Sequence, residues 1–192
     1  MKKTAIFLAS ITLFVSTIPF ATAEQDSAIA IKVLESEFFT HIGKSEFEAA
    51  AALFHYPPTY TPKERSHEAA AVSLMLAFFA EEFGSPKSPR ASESPAQYWS
   101  VAVMGGNIPY WQANPVSLQS RYDVAFTKEG YGYVLFQFCK LSSQWEIRAV
   151  AYALPAQRPD SKARVMEIGE KMMQMMKPFM EESETGNKAN KT

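Results

Sequence analysis

The chain has one cysteine, three histidines and no run of basic side chains long enough to form a charged face. The single cysteine, Cys139, excludes an internal disulfide, so the fold must rest on its core. His41, His55 and His67 share no ligand spacing, which argues against a zinc site. A formal net charge of −1 with scattered Lys and Arg argues against nucleic acid as a partner. The apolar stretch Ala5 to Phe20 is interrupted by Ser10, Thr12, Ser16 and Thr17. It falls short of the roughly 20 apolar residues that a membrane span requires.

That stretch has another reading. Lys2 and Lys3 precede it, Pro19 breaks it, and Ala21-Thr22-Ala23 follows as an A-x-A cleavage site. Together they make a secretory signal peptide over residues 1–23, cleaved after Ala23, with no cysteine beside the site to carry a lipid. The expected place of work is the periplasm or beyond, with no stable membrane anchor after cleavage. Removing 23 of 192 residues leaves 169, enough for one domain. The domain is expected over 24–180, followed by a polar flexible tail over 181–192.

Hydrophobic spacing predicts a helix over 27–42, with Ile31, Leu34, Phe38 and Ile42 on one stripe. Ser45 and Glu48 suggest a capping box for a short second helix that Pro57-Pro58 stops. Thr61, Pro62 and Glu64 open a third, with Val72, Leu76, Phe79 and Phe83 as its stripe and Gly84 as its stop. The Ser- and Pro-rich stretch from Gly84 to Ala96 predicts a loop or flap. Strands are expected over 98–104, 116–126, 131–141 and 145–154, the last three as an antiparallel meander. In the second of these, Val116, Leu118, Tyr122, Val124 and Phe126 share a face on which Ser120 is the single polar member. A last amphipathic helix, over 160–177 and rich in Met, should end or kink at Pro178.

The fold class is therefore α+β: three N-terminal helices on a curved antiparallel sheet, plus a C-terminal Met-rich helix. This order resembles the nuclear transport factor two-like superfamily, also called the cystatin-like cone or ketosteroid-isomerase-like fold. The likeness runs over about 27–154. It is carried by FFTHIGKSEFEAAAALF (Phe38–Phe54), by AEEFG (Ala80–Gly84) and by WEIRAVAYALP (Trp145–Pro155). The resemblance implies a cone-shaped sheet whose mouth the helices close, around a pocket used by some members for isomerisation, cyclisation or dehydration and by others for binding alone.

Candidate site residues follow from the strands. Asp123 is the one aspartate on a strand and the candidate base, with Tyr133 or Tyr152 as donor. Alternation instead puts Asp123 and Arg121 on the outer, solvated face. Arg121 and Arg148 form a candidate anion site at the rim, with Tyr133 and Tyr152 as further binding residues. Cys139, among Phe136, Phe138 and Leu141, reads as a buried inert thiol. The methionines of the last helix read as packing, with Cu(I) handling as an alternative. With 14 Phe, 8 Tyr and 3 Trp but no coherent catalytic set, the expectation is a binding or interaction domain with an apolar pocket. Its partner would be a small apolar ligand or a protein, with a homodimer through the sheet, and it would need no cofactor or metal. The rival expectation is an isomerase- or cyclase-like enzyme.

Overall fold

The computed structural model describes residues 12–15, 25–94, 96–106, 118–141 and 144–189. The cleavage site Ala21-Thr22-Ala23, Val116, Ser117 and the turn Ser142-Ser143 lie outside these.

Helix α1 spans Gln25–Gly43 and buries Ile31, Phe38 and Ile42 as their spacing predicts. Helix α2 is shorter than expected, Phe47–Ala52, and Ser45 does not cap it. Ser45 instead sits at φ 61, in the turn where its N–H donates to the Ile42 carbonyl. A capping residue needs extended backbone, which that turn denies it. Helix α3, Pro62–Glu82, has the predicted capping box: Glu64 N–H donates to Thr61 Oγ1 at 3.2 Å, and Thr61 N–H to Glu64 Oε2 at 2.7 Å. Gly84 follows at φ 82, where a side chain would also run into the backbone of Thr127 and Lys128.

Six strands form one sheet: β1 Thr12–Val15, β2 Pro86–Ala91, β3 Gln97–Met104, β4 Leu118–Phe126, β5 Gly130–Leu141 and β6 Gln144–Pro155. Their order is β1-β3-β6-β5-β4-β2, with every strand pairing antiparallel. Two results differ from expectation. Pro86–Ala91, read as loop from its prolines, is an edge strand on β4. An edge needs its ladder on one side only, so it tolerates residues without an N–H. Thr12–Val15, inside the segment read as a leader, pairs with β3. A short apolar segment can satisfy an open edge in this way.

The core lies between the sheet and the helices. Val134, Phe136, Phe138, Ile147, Val150, Tyr152 and Leu154 face Val72, Leu76, Phe79 and Phe83, all fully buried. Tyr152 packs its ring on Phe79 at 5.2 Å, Phe126 at 5.3 Å and Phe83 at 5.5 Å. Each such side chain contributes about 1.5–3 kcal/mol by leaving water.

The last helix, α4, spans Ser161–Ala189 and continues through Pro178 instead of ending there. It also carries helix into the segment expected to be a flexible tail. A proline inside a helix removes one ladder hydrogen bond and is absorbed as a local kink. Val165, Ile168, Met172 and Met176 are buried, and α4 packs on α3, β3 and β6. Ion pairs fix its start. Arg164 reaches Glu82 and Glu129, Arg158 reaches Glu129 and Asp160, and Lys171 reaches Glu82 and Glu167. No helix among the described residues is long and apolar enough to cross a membrane.

Candidate functional site

A groove of about 360 Å³ opens between α1, β2 and β4, lined by Lys32, Ser36, Phe39, Thr40, Pro89 and Tyr122. Its construction begins with helical spacing. Lys32, Ser36, Phe39 and Thr40 recur at three and four residues and so share one flank of α1. The adjoining flank buries Glu35 between Ile31 and Phe38. Ser120 and Tyr122 are two apart on β4 and so point together toward α1. Both donate to Glu35: Tyr122 Oη to Oε2 at 2.6 Å, and Ser120 Oγ to Oε1. Burial raises the Glu35 carboxyl above its ordinary range, while the hydrogen bonds from Ser120 and Tyr122 and the charge of Lys32 oppose that rise. Burial and the Glu35 hydrogen bond together push the Tyr122 hydroxyl up, so it stays protonated.

Rings complete the wall. Phe39 meets Tyr122 edge-on at 5.1 Å and Phe136 at 5.6 Å. Across the groove the β2–β4 register shifts between Lys87 and Arg90, and Ser88 in that bulge has φ 50. Bulges re-aim side chains at the rims of sheets, and this one carries Pro89 into the groove lining.

The residues expected from sequence fall elsewhere. Tyr152 is fully buried in the core. Tyr133 is on the sheet's opposite face, in a small cluster with Tyr98 and Ala153. Arg121 and Asp123 share that face, as alternation predicts, at 3.7 Å from each other. Arg121 is not solvated, however. It is buried over the Tyr133 ring at 5.1 Å, where it donates to Ser92 Oγ at 2.8 Å and to the Ser94 carbonyl. The stretch after β2 folds over it. Arg121 is level with Leu135 and, through it, with Ala151, so Arg148 lies three residues further along β6 and the two do not form one anion site. Burial and Tyr131 push the Tyr133 hydroxyl up to about 12.

A second cluster joins the α2–α3 connection to β6. Phe54 bridges Ile147 in parallel, and His55 N–H donates to the Ile147 carbonyl at 2.7 Å. The His55 Nδ1 sits against Glu146 Oε2, an orienting carboxylate that the sequence alone did not reveal. Cys139 is level with Glu146, and burial, with Glu146 adding, pushes its thiol up to about 11. Such a thiol is protonated at neutral pH and a poor nucleophile. No three His, Cys, Asp or Glu among the described residues gather to hold a metal ion.

Glu35 had one sequence signal: the lone polar residue Ser120 on the apolar face of β4, where a half-buried hydroxyl needs a partner. Comparison with known proteins adds little. No family model and no curated protein matches the chain. Among solved structures it is similar to that of Rv3472(D26N), a protein of unknown function from Mycobacterium tuberculosis. The two share 12% identity over 78% of this chain and 98% of that one, with a TM-score of 0.37.

Proposed function

We propose that the protein is an exported, non-enzymatic binding domain that takes a small ligand into the groove between α1, β2 and β4. Glu35 is the observation that carries this reading. Both of its oxygens are engaged from within, by Ser120 and Tyr122. A general base needs a carboxylate oxygen directed at its substrate. Glu35 instead anchors the groove wall. The volume, about 360 Å³, is at the small end of the roughly 300–1,000 Å³ typical of ligand sites. The element order supports membership of the nuclear transport factor two-like superfamily with its cone-shaped sheet, and the N-terminal pattern supports export. Burial of Met172 and Met176 favours packing over copper handling for α4.

Residues 24–192 titrated with the neutral dye Nile red would test the groove. Ser36 is exposed on α1, so Ser36→Trp fills the groove without disturbing the core. The expected result is dye fluorescence in the parent, lost in the variant at unchanged Tm. Equal binding by the variant would place the site elsewhere. Export is checked separately by mass spectrometry of the secreted chain, which should begin at Glu24.

A further inference from the structure

We infer that the ligand of this groove is a small planar aromatic anion; the inference rests on the groove being the binding site. Among the described residues, the apolar lining consists of two aromatic rings, Phe39 and Tyr122, and the saturated ring of Pro89, with no Leu, Ile, Val or Met. Rings give the most contact to a flat partner through stacked or edge-on approach, whereas an acyl chain is held better by aliphatic walls.

The charge is set just as plainly. Among the described residues, Lys32 is the one ionisable cation in the lining, and it is exposed on α1. Ser36, one turn further on, brings a hydroxyl beside it, so an oxyanion can meet an ammonium and a hydroxyl together. The nearby carboxylate, Glu35, is buried and each of its oxygens already accepts a hydrogen bond, so it offers a cationic ligand a weaker partner than an exposed carboxylate would.

The rings are also fixed before any ligand arrives. Tyr122 is tied by its hydroxyl to Glu35, and Phe39 is wedged edge-on between Tyr122 and Phe136. Pro89 is placed by a bulge in which Ser88, a non-glycine residue, adopts the left-handed region. Backbone strain of this kind persists where the surroundings over-determine it, and it clusters at functional sites. A wall that does not need to order itself loses less entropy on binding.

Calorimetry on residues 24–192 would use three probes of similar size: 1-naphthoate, 1-naphthylmethylammonium and octanoate. The inference expects 1-naphthoate to bind at least about tenfold more tightly than either of the others, a gap of about 1.4 kcal/mol. Lys32→Glu should weaken 1-naphthoate by about threefold to tenfold, as befits an exposed charge, and Ser36→Trp should abolish its binding. If octanoate binds as well as 1-naphthoate, or the ammonium does, and Ser36→Trp removes both, the ligand class is wrong and the groove stands. Loss of Nile red in Ser36→Trp with no 1-naphthoate binding likewise overturns the ligand class and keeps the groove. Binding of every probe that Ser36→Trp leaves untouched overturns both the ligand class and the site.

Discussion

Tyr152 illustrates how far a residue's type can mislead about its role. Its hydroxyl is fully buried with no hydrogen-bond partner among the described residues, and burial alone pushes it above the ordinary tyrosine range. Removing that oxygen deletes an unsatisfied polar group and keeps the ring packing. Tyr152→Phe should therefore be neutral or raise stability by up to about 1 kcal/mol in urea unfolding. Glu68 makes the opposite point, that a charge can be hidden in an ordinary-looking helix. It is 6% exposed, its Oε2 has no partner among the described residues, and burial, with Glu64 adding, raises its carboxyl to about 7 from 4.5. Below pH 4.5 the group is neutral whether the chain is folded or not. Between 4.5 and about 7 the folded chain keeps a proton that the unfolded chain releases, so stability falls as pH rises, then levels off. At about 1.4 kcal/mol per pH unit the whole effect is at most about 3 to 4 kcal/mol. Glu68→Gln should flatten the difference in Tm between pH 5 and pH 8 and raise Tm at pH 8 by about 5 °C or more. An unchanged pH profile would show that another group carries it.

At the scale of elements, the junction of α4 with the rest of the chain depends on Glu129. It lies in the β4–β5 turn with its side chain mostly covered, and it accepts from Arg158 at 3.0 Å and from Arg164 at 2.6 Å. Glu129→Ala leaves two partly covered guanidinium groups short of a partner and should cost about 1–3 kcal/mol. The measurement is thermal unfolding at low and high salt, and the deficit should shrink at about 1 M salt. The helices and the meander were legible because their signals are local: the Thr61–Glu64 capping box, stripes at three and four residues, and alternation. Edge strand β2 was not, because Pro86 and Pro89 speak against a strand unless its place at the edge is known. The groove was only half legible. Ser120 marked a demand for a partner, but that the partner is Glu35, 85 residues away, is decided by how α1 crosses the sheet. The Arg121 cover was illegible for the same reason, since Ser92 and Ser94 come from a distant turn of chain.

At the scale of the whole molecule, the sheet divides the protein into a filled side and a thinly covered side. The filled side is closed by α1 to α4, while the other carries the small cluster of Tyr98, Tyr133 and Ala153 with Tyr131 half exposed above it. A homodimer through the sheet would use that second face, whereas the groove opens at the rim of the first. The sheet's outermost rung has a further consequence. Strand β1 covers the edge of β3, and β1 belongs to the segment proposed as the leader. Gln97–Met104 contains neither charge nor proline, the two devices that usually keep an open edge from pairing with a neighbour. Removal of that segment would leave this edge of β3 without the partner that β1 gives it here. Amides of β3 should exchange faster in residues 24–192 than in the uncleaved chain, a difference that hydrogen-exchange mass spectrometry reads directly.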